Sequence, residues 1–198
     1  MTFSSQKESQ GVFLTNGDSA YESALNFFRK RSPVVFVSQH YRFWEQHGFV
    51  QQNLAKHLVD AGIEVYWFDG AHWKKNKPVK TWDSPLLRVS QLPSLPLRRV
   101  PWVDLASAKL QSLTLRKMLN RGNYPLLWVQ SGLDERVVEQ LPYVDVFSVF
   151  DDPYLHAPQG ALCKKSKLIV VQNDFARKLF DCIPHTTMTL SPPLDTHP

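Results

Sequence analysis

Cysteine is nearly absent: the 198 residues contain two, Cys163 and Cys182. Neither stands in a spacing used by metal or redox sites, so a disulfide framework is excluded and a reduced, cytoplasmic setting is expected. No apolar run approaches the roughly 18 residues a transmembrane helix needs. The N-terminus lacks the basic-then-apolar layout of a signal peptide. Neither G-x-G-x-x-G nor G-x-x-x-x-G-K-[ST] occurs, which argues against dinucleotide oxidoreductases and P-loop NTPases. No spacing of His and carboxylates forms a metal site, and no cofactor is implied.

What is present suits a packed domain. Hydrophobic residues make up 43% and aromatics 12%, enough for a core and too many for a disordered chain. The formal net charge is +5. Its cations cluster at Lys74, Lys75, Lys77 and Lys80, at Arg98 and Arg99, and at Lys164, Lys165 and Lys167, with Trp73, Trp82 and Trp102 among the first two groups. Cations beside interfacial aromatics suit an anionic membrane surface, such as the inner face of a cell membrane, where each contributes about 1 kcal/mol. They equally suit a solvated, silent face. No RNP, KH or zinc-finger pattern supports a nucleic-acid partner.

In chain order, residues 1–18 read as a flexible arm. Residues 19–32 form an amphipathic helix, with a capping box at Ser19-Ala20-Tyr21-Glu22 and a basic end at Arg29-Lys30-Arg31. Val34 to Val37 is a short buried strand, and Val50, Leu54, Leu58 and Ala61 share one face of the helix that follows. Gly62 ends that helix, and Glu64 to Phe68 is the second strand. Strand, helix, strand is a βαβ unit, the building block of parallel sheets. Further strands are expected at Leu86–Val89, Leu126–Val129, Asp145–Phe150, Leu168–Val171 and Thr187–Leu190. Helices are expected at Asp104–Leu119, Asp134–Leu141, Ala161–Lys165 and from Asp174 to Phe180. On the long helix, Leu105 or Ala106, Leu110 or Ala108, Leu113 and Met118 offer a buried side. The fold class is thus α/β, a Rossmann-like open and mostly parallel sheet with helices on both faces.

Ligands of open α/β sheets bind beyond the carboxyl ends of the strands. Two loops there carry groups that grip polar ligands. One is Ser38 to Gly48, with His40, Arg42, Trp44 and His47; the other is Asp151-Asp152-Pro153-Tyr154-Leu155-His156. An ordinary surface connection and an Asp-Pro turn remain the plain alternatives.

Gly48-Phe49-Val50-Gln51-Gln52-Asn53-Leu54-Ala55 through Gly62-Ile63-Glu64-Val65 resembles the opening of a GT-B glycosyltransferase, with Ile63 where that family commonly has His. Phe147-Ser148-Val149-Phe150-Asp151-Asp152, Ser166 to Asn173, and Leu190-Ser191-Pro192-Pro193-Leu194-Asp195 look like three later signatures of the same family, in the same order. The resemblance is to the N-terminal, acceptor-side domain of a family 4 type enzyme and covers 33–195. It implies sugar transfer from a nucleotide-sugar donor to a saccharide or lipid-linked acceptor, with the donor held by a second domain expected to be absent here. The resemblance implies Asp151 and His156 as catalytic candidates. His40, Arg42, Trp44, His47, Gly48 and Asp152 would contact substrate. Two other readings stay open: a non-catalytic interaction or membrane-docking module, and a stand-alone Rossmann-like domain for a phosphorylated ligand held by amides at a helix N-terminus.

Overall fold

The computed structural model describes residues 19–38, 50–72, 84–97, 99–121, 124–130, 132–149, 160–171 and 186–189. They form α1 (Ser19–Lys30), β1 (Val34–Val37), α2 (Val50–Asp60), β2 (Val65–His72), β3 (Leu87–Pro93), α3 (Pro101–Leu119), β4 (Leu126–Gln130), α4 (Glu135–Gln140), β5 (Val144–Val149), α5 (Gly160–Lys165), β6 (Ser166–Val171) and β7 (Thr186–Thr189). The seven strands make one sheet in the order β3-β2-β1-β4-β5-β6-β7, and every pairing is parallel. The expected Rossmann-like α/β architecture is the observed one.

The chain builds the sheet outward from β1 in one direction, through β2 to β3. It then crosses by α3 to β4 and builds in the other direction. The reversal falls between β1 and β4, two neighbouring strands whose outgoing connections diverge. Such a switch point opens a crevice at the carboxyl ends of the strands.

Both faces of the sheet are covered, which is why β1 and β4 are buried at every residue. On one face Leu25 of α1 and Ala55, Leu58 and Val59 of α2 belong to the core formed with Phe36, Trp67, Leu126 and Trp128. On the other, Ala108, Leu115 and Met118 of α3, Val137 and Val138 of α4 and Leu162 of α5 join Val35, Val37, Leu127, Val129 and Phe147. Gly62 closes α2 at φ +79°, and a Cβ there would meet nothing within 4 Å. The left-handed backbone, not crowding, is what asks for glycine.

Three expectations need correction. Strands β2 and β3 run on to His72 and Pro93, past their expected ends. Proline is admitted because β3 is the outer strand, where a missing N–H breaks no ladder. Helix α3 begins at Pro101 rather than Asp104, since proline suits the first helical position, whose N–H has no partner in any case. Finally, of the side chains expected inside α3, Ala108 and Met118 are buried but Leu105, Leu110 and Leu113 are exposed. The inner face holds Ser107, Ala108, Gln111 and Ser112 instead. Its hydroxyls are satisfied locally: Ser107 Oγ accepts from the Leu95 amide at 3.0 Å, and Ser112 Oγ lies within 2.9 Å of the Lys109 carbonyl and of Gln140 Oε1. The helix expected over 174–180 lies outside the described residues.

At the amino end of the sheet sits a closed ionic cluster. Asp145 Oδ2 accepts from Arg31 at 2.6 Å and from the Leu127 amide at 3.1 Å, while Oδ1 accepts from Lys167 at 2.8 Å. Burial alone would raise the Asp145 pKa; the bonds from Arg31, Lys167 and Leu127 outweigh it and hold the carboxyl below its ordinary range. Arg31 also donates to the Tyr124 carbonyl at 2.6 Å, and Tyr143 donates to the Pro125 carbonyl at 2.8 Å. This cluster ties α1 to the starts of β4, β5 and β6.

Candidate functional site

The opposite, carboxyl end of the sheet is built in two layers. The lower layer is aromatic. Phe36 of β1 pairs in register with Trp67 of β2 and with Trp128 of β4, its ring centroid 5.4 Å from each. Two residues further along each strand, side chains return to the same face. There stand Ser38, Asp69 and Gln130. Register continues the row to Gln91, opposite Asp69, and to Ser148, opposite Gln130. Five neighbouring strands thus set a polar row above an aromatic layer, on the face that α2 covers. Ser38, Asp69, Gln130 and Ser148 are all buried.

The layers are bonded to each other. Trp67 Nε1 donates to Asp69 Oδ1 at 2.8 Å, and Trp128 Nε1 donates to Ser148 Oγ at 2.9 Å. The first turn of α2 closes over the row with two buried glutamines, Gln51 and Gln52. Gln51 Nε2 donates to Ser148 Oγ at 2.5 Å. Ser148 oxygen therefore receives two donors, which fill both its lone pairs and leave its own proton to give. Beside it, Gln130 Oε1 is buried and meets no donor among the described residues. A donor and an unused acceptor stand on β5 and β4, directly in register, beside the switch point. A ligand hydroxyl, which gives one hydrogen bond and takes another, matches that pair. The row contains one formal charge, Asp69, and no cation.

A second charged group at this end, on the far face, is structural. Arg136 bridges Asp134 and Asp104, and Asp134 also caps α4 by accepting from the Arg136 amide at 3.0 Å. Burial would raise the Asp134 pKa, but the Arg136 bonds lower it overall, and Arg136 is raised in turn. The group joins α3 to α4 and its members satisfy one another.

The residues singled out in the sequence, His40, Arg42, Trp44, His47, Gly48, Asp151, Asp152 and His156, lie outside the described residues. They leave from the same strand ends as the row: Ser38 precedes the first group, and Ser148 and Val149 precede the second. The row itself was missed. Its trace in the sequence is an aromatic-apolar-polar triplet repeated on three strands, Phe36-Val37-Ser38, Trp67-Phe68-Asp69 and Trp128-Val129-Gln130, which only the register joins. Among the described residues no cluster of three or more His, Cys, Asp or Glu could hold a metal ion. No helix there is long and apolar enough to cross a membrane.

No family model matches this chain, and no curated protein sequence does. Among solved structures it is similar to sucrose-phosphate synthase from Thermosynechococcus elongatus, with a TM-score of 0.53 and 15% identity, over 82% of this chain and 90% of that one. At that identity the likeness is one of fold.

Proposed function

We propose that the chain is the acceptor-side half of a GT-B glycosyltransferase of the family 4 type, and that the polar row contacts a hydroxyl-bearing, uncharged part of the acceptor. The observation that carries the reading is the pair of Ser148 on β5 and Gln130 on β4, a donor facing an unused acceptor next to the β1/β4 switch point. The order of the GT-B-like segments and the fold shared with a sucrose-phosphate synthase support it.

In this reading the acceptor hydroxyl attacks the sugar carbon that carries the nucleotide diphosphate. The bond from that carbon to the diphosphate oxygen breaks, and the hydroxyl proton passes to a base. Asp151 is the proposed base and His156 its neighbour, on the loop that leaves β5. Asp152 and Trp44 would contact substrate. His40, Arg42, His47 and the Gly48 amide would face the departing diphosphate. The nucleotide-sugar itself would be gripped by a donor-binding domain or subunit. The phosphorylated-ligand alternative receives no support from the row, which lacks a cation.

Thermal shift of the chain against neutral saccharides, inorganic phosphate and nucleotide diphosphates tests this directly. A ligand at 100 times its Kd stabilises by roughly 2.7 kcal/mol. The acceptor reading expects a saccharide to raise Tm and Gln130→Leu to abolish that shift. A shift produced by nucleotide diphosphates and unaffected by Gln130→Leu would overturn it.

A further inference from the structure

Helix α3 faces the solvent with the wrong residues for a solvated surface. Trp102, Leu105, Leu110 and Leu113 are exposed by 72, 54, 40 and 51%. At 3.6 residues per turn, Trp102, Lys109 and Leu113 fall within about 40° of one another on the outermost line of the helix. Leu105 and Arg116 flank that line on one side, Leu110 and Lys117 on the other. Lys109, Arg116 and Lys117 are exposed, as are Arg99 before the helix and Arg121 after it. The one acidic residue of the helix, Asp104, bonds Arg136 of α4 and does not face outward. In the turn that leads into α3, Leu97 adds a leucine 75% exposed and held at φ 64°, a backbone conformation that only a few percent of non-glycine residues adopt.

We infer that this face docks on an anionic lipid surface. Along the 19 residues of α3, about 28 Å, the outward face mixes apolar side chains with cations, and the helix's one carboxylate, Asp104, is turned to Arg136. On a membrane the helix's tryptophan and leucines would meet the acyl boundary and its cations the headgroups. The surface is the convex side of a single helix, so it fits a plane rather than a peptide. A second copy of the chain is a poorer occupant. A two-fold contact would bring Lys109, Arg116 and Lys117 of both copies into one interface with no outward carboxylate of α3 to offset them. Nothing in this surface depends on the sugar-transfer reading.

Flotation of the whole chain with vesicles of phosphatidylcholine, alone or mixed with phosphatidylglycerol, tests the inference. The chain is expected to float with the mixed vesicles and not with the neutral ones. Lys109→Gln and Lys117→Gln should each weaken that binding about fivefold, and Trp102→Ser with Leu113→Ser should weaken it as well. All four positions are exposed, so an unchanged Tm shows that the fold survives. Arg29→Gln with Lys30→Gln, on α1, should leave binding as it was. Binding without preference for phosphatidylglycerol, or binding that the α3 variants do not alter, would sink the assignment. So would loss in the lysine variants but not in Trp102→Ser with Leu113→Ser, since an acidic protein surface would then suffice. A dimer in solution that Leu105→Ser with Leu113→Ser dissociates would give the face to a second copy instead.

Discussion

The two ends of this sheet both bury polar groups, yet they treat them differently. At the amino end, Asp145 has three donors on its two oxygens, so each oxygen is partnered. At the carboxyl end, Gln130 Oε1 is as deeply buried and has none among the described residues, while Ser148 keeps a proton unspent. Burying a polar group without a partner costs on the order of 1–3 kcal/mol, so a closed cluster is what stability alone selects. An open one, set beside the topological switch point, is what a ligand site needs. On the proposed reading, the difference separates a fastening from a receptor within one sheet.

The most severe test removes the layer on which the row rests. Phe36 touches both tryptophans, and Phe36→Ala should cost about 3–5 kcal/mol in denaturant unfolding. Next is Asp145→Asn, expected to cost about 2–3 kcal/mol by weakening charge-assisted bonds to Arg31 and Lys167. Its pH signature has a definite sign. The folded pKa of Asp145 is depressed, so its stabilisation is complete above the ordinary Asp value and is lost as pH falls below about 4. The Asn variant should therefore flatten the acid limb of a stability-versus-pH curve, and an unchanged limb would show the cluster to be weak.

Gln130→Met should do the opposite of Asp145→Asn: raise stability by about 1 kcal/mol, because a buried orphan is removed, while saccharide binding disappears. A Gln130→Met variant that is destabilised would mean the amide is structural, and the contrast between the two ends would collapse. Gln111→Met on α3 supplies the control. Both its amide atoms are buried without partners among the described residues, but on the far face of the sheet. It should stabilise by a similar amount and leave saccharide binding intact. The smallest effect is expected from Gln51→Ala, about 1 kcal/mol or less of stability, with a larger loss of saccharide affinity since Ser148 is then free to turn.

Much of this was legible before the structure. β1, α2 and Gly62 follow from a β-branched apolar run, a 3.6-residue period and a left-handed stop, but the buried side of α2 is Gln51, Gln52, Ala55, Leu58 and Val59, with Leu54 and Ala61 of the expected stripe only half-buried. Helix α3 was misread because periodicity assumes that leucines go inside. Ser107 and Ser112 take inner positions with local partners for their hydroxyls, while Leu105, Leu110 and Leu113 face outward and Leu115 and Leu119 inward. The polar row was illegible for a different reason. Each of its residues is one polar letter in or just after an apolar strand, and no single strand marks that letter as a ligand contact. Only the register, which sets Ser38 beside Asp69 and Gln130 and Gln130 beside Ser148, makes them one group.

The two indole N–H groups beneath that row have a spectroscopic consequence. Trp67 and Trp128 each point a buried proton at a row member, Asp69 and Ser148, while Trp102 lies on the solvent face of α3. In a ¹⁵N-labelled chain the first two indole resonances would move when the carboxyl end is occupied, and the third when the helix meets a surface. The sequence carries six tryptophans, and these three would label its two ends of business separately in one spectrum.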